Sequence, residues 1–117
     1  MRIVSRAEFL KLTKPTIFAK AKILESGQPD IDYDLNILYP HDGYKNDFNV
    51  MPLDISYNIQ ADYPDELCSQ YDKLENGESV TLEYDTIMRD GCFEDDIKFA
   101  IFEEADLAVF KRLINSI

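Results

Sequence analysis

The chain has 117 residues, 45% of them apolar, which suits one folded domain spanning residues 1–117 and is too short for two separate cores. Its net charge of −11 repels nucleic-acid phosphate and favours a basic protein partner, which argues against direct binding of nucleic acid. With only two cysteines and no run of roughly 20 apolar residues, we expect neither a disulfide scaffold nor a membrane span, but a cytoplasmic protein with reduced thiols.

The first 23 residues predict a short helix followed by a strand. Ser5 and Glu8 have the spacing of a capping box, in which each side chain binds the other residue's backbone N–H. The helix should run over about 6–12 and stop before Pro15, which disfavours helical geometry at the residue before it. Apolar residues then alternate over 16–23, which predicts the first strand.

Two longer alternating segments follow. Gly and Pro within 26–30 predict a turn, so the next strand should form a hairpin with the first. Residues 31–39 predict one strand, and residues 51–61, beyond a polar loop, predict the longest strand of the chain. The apolar positions on every second residue are Ile31, Tyr33, Leu35, Ile37 and Tyr39, then Met51, Leu53, Ile55, Tyr57, Ile59 and Ala61.

The second half of the chain predicts a helix, two strands and a last helix. Pro64 near the start and Asn76-Gly77 at the end are boundary signals for a helix over about 64–75. Residues 80–85 and about 96–102 predict the strands, and the last helix starts near Glu104. Both helices carry an apolar stripe that we expect to be buried: Leu67, Tyr71 and Leu74 on the first, and Leu107, Phe110, Leu113, Ile114 and Ile117 on the second. This order predicts an α+β fold, a mainly antiparallel sheet of about five strands with two to three helices packed on it.

The sequence carries no recognisable catalytic or metal motif. Residues 30–34 resemble the start of a calcium loop, but Leu35 and His41 stand where that loop needs glycine and glutamate. His41 beside Asp42 has the composition of a general base, yet no nucleophile signature surrounds either cysteine. We therefore expect no catalytic residues, no metal and no cofactor. A metal-dependent enzyme that uses clustered carboxylates stays as the least favoured alternative.

The charge is unevenly distributed. Residues 1–22 sum to +5 and residues 23–117 to −16. Rows of carboxylates can mimic the phosphates of DNA, which carries one charge per about 1.7 Å of its axis, and so can occupy a basic groove of a nucleic-acid-binding protein. The acids that we expect to contact such a partner are Asp30, Asp32 and Asp34 on one strand face, Asp62, Asp65 and Glu66 around the helix over 64–75, and Glu94, Asp95 and Asp96 in a turn.

Two segments resemble small bacteriophage and prophage accessory proteins of uncharacterised function. The opening I-V-S-R-A-E-F-L-K-L over 3–12 is similar to the start of these proteins, and R-D-G-C-F-E-D-D over 89–96, leading into 99–102, is similar to their closing region. The resemblance implies a phage accessory gene and supplies no functional residues. Together with the charge, it predicts an inhibitor of a host protein, for example an anti-CRISPR or anti-restriction DNA mimic. The alternative is an unspecialised protein-interaction domain.

Overall fold

One antiparallel sheet with three helices forms the fold in the computed structural model, which describes residues 1–40 and 43–117. The α+β prediction is confirmed, and the sheet is larger than the five strands expected. The strands are β1 (Arg2–Val4), β2 (Thr16–Ile23), β3 (Pro29–Ile31), β4 (Asn36–Tyr39), β5 (Asn49–Pro52), β6 (Met88–Arg89) and β7 (Lys98–Ile101). The helices are α1 (Arg6–Phe9), α2 (Pro64–Glu75) and α3 (Glu104–Asn115), and Ile55–Tyr57 forms a 3₁₀ turn.

The two ends of the chain meet in the sheet. The strand order is β1-β7-β2-β4-β5-β6, with β3 pairing the far half of β2. The late strand β7 therefore lies between two early ones, and Phe18 of β2 pairs with Ile101 while Val4 of β1 pairs with Phe99. β3 and β4 both pair with the same edge of β2, and the four residues between them, 32–35, belong to neither strand.

A cluster of phenylalanines forms the centre of the core. Phe9, Phe18 and Phe99 have no exposed surface, and Phe48 is 2% exposed. The rings of Phe9 and Phe99 stack with centroids 3.9 Å apart, and Phe18 meets Phe9 edge-on at 4.8 Å. Helix α1 brings Phe9 to this position, and its first turn is held by the capping bond predicted from the sequence, from the Glu8 N–H to Ser5 Oγ at 3.2 Å.

The strand predicted over 31–39 is split into β3 and β4. The alternation would bury Tyr33, Ile37 and Tyr39 on one face, but Tyr33 is 99% exposed. Leu38, on the opposite face, is the buried residue of β4. Polar side chains bind the local backbone here: Asp32 Oδ1 accepts the Tyr33 N–H at 2.9 Å, and Asn36 Nδ2 donates to the Asp34 carbonyl at 3.2 Å. Such bonds compete with ladder formation, so the single face of Asp30, Asp32 and Asp34 predicted from the alternation is wrong.

The strand predicted over 51–61 ends at Pro52. Asp54 accepts the Ser56 N–H at 2.8 Å and caps the 3₁₀ turn. Asn58, which is 1% exposed, then donates from Nδ2 to the carbonyls of Pro52 and Asp54 at 2.8 and 2.7 Å. These bonds turn the chain away from the sheet. The strand predicted over 80–85 is also wrong, since that segment contributes one isolated bridge, between Ile59 and Leu82.

Replacing Asn58 by alanine should lower the free energy of unfolding by about 1 to 3 kcal/mol, because two backbone carbonyls would lose a buried donor. Equilibrium urea unfolding measures this difference. Gln28→Ala, in an exposed turn, is the control and should stay within about 0.5 kcal/mol of the wild type. Equal stability of the two variants would contradict the role assigned to Asn58.

Helix α2 has the bounds predicted from the sequence, and Gly77 beyond it adopts the left-handed φ of +75° that favours glycine after a helix. The burial predicted for the helix stripes is wrong. Neither α2 nor α3 contains a buried residue, and Tyr71 and Leu74 are each 44% exposed. Both stripes exist, but the chain covers them only in part.

Candidate functional site

An acidic cleft of about 270 Å³ opens beside β2, at the gap between β3 and β4. It is lined by residues of β2, β4, β5 and β6 and by Asp32 and Asp34 of the segment 32–35, which leaves β2 after the Asp32 N–H donates to the Lys20 carbonyl at 2.8 Å. Its apolar lining includes Phe18, Val50 and Met88. Its polar lining comprises the carboxylates of Asp32, Asp34, Asp54 and Asp90, the cations of Lys20 and Arg89, and Asn36 and Tyr57.

Each of the two cations of the cleft already forms an ion pair, Lys20 with Asp90 and Arg89 with Asp47. Lys20 Nζ lies 2.8 Å from Oδ1 of Asp90, whose side chain is 9% exposed. Arg89 pairs through Nε with Asp47, outside the cleft. Among the described residues, no cation forms an ion pair with Asp32, Asp34 or Asp54. The acidic cleft therefore has an excess of negative charge.

Asp54 stays ionised at this site. The hydrogen bond from the Ser56 hydroxyl, at 2.8 Å, and that from the Ser56 N–H lower the pKa of Asp54 below its ordinary value. Both donors stabilise the charged form of the carboxyl. The bonds also fix its orientation at the mouth of the cleft.

Asp47 anchors the wall of the cleft formed by β6. Its side chain is 1% exposed and accepts hydrogen bonds from Arg89, from the Phe48 N–H at 2.9 Å and from the Gly91 N–H at 3.1 Å. Burial works to raise the pKa of Asp47, but the bonds from Arg89 and the two backbone groups outweigh it and lower the pKa. The buried carboxylate thus joins the start of β5 to the end of β6.

Of the nine predicted partner-contacting acids, Asp32 and Asp34 line the cleft. Asp30 lies on β3 directly across from Lys22, and Lys22 Nζ is 3.8 Å from Asp96 Oδ2. The acids of this region are therefore interleaved with lysines of β2 and do not form the uninterrupted row that the sequence predicted.

The remaining predicted acids lie in two other places. Asp62, Asp65 and Glu66 surround the start of α2, where Glu66 accepts the Asp62 N–H at 2.9 Å and acids interact favourably with the helix dipole. Glu94 and Asp95 are exposed in the loop before β7. None of these five acids lines the acidic cleft.

The sequence interpretation missed a stronger concentration of charge. Residues 53–87, here called the acidic arm, hold nine acidic side chains and one lysine, Lys73, a net charge of −8. Asp54 and Tyr57 of the acidic arm line the cleft, so arm and cleft adjoin. Summing charge over sequence windows would have located this segment. Four exposed tyrosines lie along it: Tyr57, Tyr63, Tyr71 and Tyr84.

The general base considered at His41 and Asp42 lies outside the described residues. Within residues 1–40 and 43–117, no three His, Cys, Asp or Glu side chains are grouped so that they could hold a metal ion. In the same part of the chain, no helix has the length and apolar character needed to cross a membrane.

Comparison of the chain with protein-family models, with curated proteins and with solved structures finds no match. The resemblance to phage accessory proteins therefore stays a prediction from the two sequence segments that carry it.

Proposed function

We propose that this chain is a phage-encoded, non-enzymatic protein that acts in the host cytoplasm, binds a basic host protein and blocks its nucleic-acid site. The observation that carries the proposal is the acidic cleft, in which Asp32, Asp34 and Asp54 have no cation paired to them among the described residues. A carboxylate site of this kind favours a cationic group supplied by the partner.

The size and lining of the acidic cleft suit an arginine side chain. Its volume of about 270 Å³ is below the roughly 300 to 1,000 Å³ of typical small-molecule sites, so one inserted side chain fits better than a cofactor. A guanidinium binds carboxylates through two parallel hydrogen bonds and also stacks on aromatic faces such as that of Tyr57. The apolar lining accommodates the methylene stem of the same side chain.

The surrounding charge favours a nucleic-acid-binding protein as the partner. Such proteins hold phosphates in grooves of arginine and lysine, and carboxylates can take the place of those phosphates. The net charge of −8 on the acidic arm would raise the rate of encounter with a basic groove, and this contribution should fall with added salt. In this proposal the acidic arm steers the encounter and the acidic cleft anchors the complex.

The test begins with capture of a partner from bacterial lysate at low and high salt, followed by titration of the purified pair. Asp32→Lys/Asp34→Lys should weaken binding by about 30-fold or more, because desolvated charge pairs cost about 2 kcal/mol or more when broken. Glu25→Lys/Glu104→Lys, at exposed positions outside the cleft and the acidic arm, changes the net charge equally and should weaken binding by only about threefold.

Competition with a labelled DNA duplex then tests the inhibition. The wild-type protein should release the duplex from the captured partner, and the cleft variant should not. Equal loss of affinity in the two variants would show that net charge alone drives binding. A complex containing protein, partner and DNA together would contradict occupation of the nucleic-acid site, and failure to capture any partner at either salt would contradict the proposal as a whole.

A further inference from the structure

Helix α3 exposes most of its apolar side. Val109, Leu113 and Ile114 are 51%, 59% and 62% exposed, and Ile117 just beyond the helix is completely exposed. With Phe110, which packs on Phe102 at a centroid distance of 5.4 Å, they lie on one side of the helix at the helical repeat. A continuous apolar side of this kind on a folded domain marks an interaction surface.

Helix α2 exposes a second apolar stripe. Tyr71 and Leu74 lie on the same side of α2, each 44% exposed. The radius of gyration of the chain is 16.6 Å, whereas about 13 Å is expected for a compact domain of this length. The exposed stripe shows that α2 does not complete its packing within one chain, and the radius of gyration shows that the chain as a whole is less compact than expected.

The charges beside the two stripes are of opposite sign. The second half of α3 carries Lys111 and Arg112 and no acid, and helical spacing places one on each side of the α3 stripe. Helix α2 carries four acids and one lysine, with Glu75 one turn after Tyr71, and Asp72 also on this exposed part of the helix. The α3 surface therefore has an apolar centre and a basic rim, and the α2 surface has an apolar centre and an acidic rim. The two surfaces are complementary in charge.

We propose that two copies of this chain associate, with α3 of each copy packed against α2 of the other. A two-fold axis makes both contacts identical and closes the assembly at two chains, as in most homo-oligomers. The second copy supplies apolar cover for Leu113 and Ile114 and carboxylates for Lys111 and Arg112. This inference uses none of the cleft residues, although α2 with Asp72 and Glu75 lies within the acidic arm.

Reciprocal charge exchange tests the pairing by sedimentation equilibrium. The mass of the wild-type protein should rise with concentration toward twice the 13.6 kDa of one chain. Lys111→Glu/Arg112→Glu places acid opposite acid, and Asp72→Lys/Glu75→Lys places base opposite base, so each variant alone should associate at least about tenfold more weakly. An equimolar mixture of the two should associate like the wild type, because both contacts again join opposite charges.

Lys11→Glu/Lys14→Glu, at exposed positions near α1, is the control for net charge and should associate like the wild type. Circular dichroism establishes that each variant is folded, as expected for exposed positions. A wild-type protein that stays monomeric at every concentration would overturn the proposal. So would a mixture of two folded variants that does not regain association, or growth of the assembly beyond two chains.

Discussion

Replacing Phe99 by alanine is expected to lower the free energy of unfolding by about 3 to 5 kcal/mol. Phe99 has no exposed surface, stacks on Phe9 at 3.9 Å and lies within 5.8 Å of the rings of Phe18 and Phe48. Its removal leaves a cavity among the three remaining rings, which come from α1, from β2 and from the residue just before β5. Since a domain of this kind is stable by only about 5 to 15 kcal/mol, the loss is a large part of the total.

Equilibrium urea unfolding, followed by circular dichroism, measures the effect of Phe99→Ala. Tyr33→Ala removes a comparable ring that is 99% exposed, and its stability should stay within about 0.5 kcal/mol of the wild type. If both substitutions cost the same, the phenylalanine cluster would not be the centre of the core. A smaller slope of unfolding with urea, rather than a shifted midpoint, would indicate loss of two-state behaviour.

Replacing Asp47 by alanine is expected to cost about 2 to 4 kcal/mol at neutral pH. The backbone N–H groups of Phe48 and Gly91 would lose their acceptor, and the Arg89 guanidinium would lose its anion. Because Arg89 is half exposed, water compensates it in part, which keeps the cost below that of breaking a completely buried pair. Urea unfolding at pH 7 measures the difference, and a loss under about 1 kcal/mol would contradict the anchoring role.

The cost of removing Asp47 should also depend on pH. The folded pKa of this carboxyl is lowered, so the unfolded chain binds the proton more readily as the pH falls below the ordinary value of 3.8. The stabilisation by Asp47 is therefore complete above pH 3.8 and decreases as the pH falls toward the folded pKa. The stability difference between the wild type and Asp47→Ala should narrow in this range. A difference that stays constant from pH 7 to pH 3 would show that the carboxylate charge does not contribute.

Features set by local chemistry were predictable from the sequence. Ser5 capped the first turn of α1 as expected, but the Glu8 side chain accepts from the Ser5 hydroxyl instead of its N–H, and α1 ends at Phe9, short of the predicted residue 12. Pro64 with Asn76-Gly77 bounded α2 at the positions observed. Each of these signals acts within one helical turn and depends on the nearest backbone groups only. The strand over 16–23 was also predictable, because β7 pairs with one of its edges and β3 and β4 pair with the other, so its alternation is not interrupted.

The longer alternating segments misled the interpretation. Alternating apolar residues predicted continuous strands over 31–39 and 51–61. In both segments, side chains bind the local backbone and end the strand pairing: Asp32 in the first, Asp54 and Asn58 in the second. Asp32 and Asp34 of the acidic cleft lie in one of these interruptions, so the cleft could not be predicted while the segment over 31–39 was taken as continuous. β1 and β6, with three and two residues, were too short to show a period.

The helix stripes show another limit of the pattern. Periodicity indicates which side of α2 or α3 is apolar, but it carries no information about what covers that side. The prediction assumed that the sheet would cover both stripes. Residues such as Tyr71 and Ile114 instead remain partly exposed, which periodicity alone does not show.

The position of β7 between β1 and β2 bears on how the chain folds during synthesis. A ribosome releases β1 and β2 first, but their shared neighbour is made only after most of the chain has emerged. Until then, the edges of both early strands stay open to other chains, and the loop that must close is long. From this strand order we expect the sheet to be completed slowly and its early strand edges to be prone to association until β7 is made.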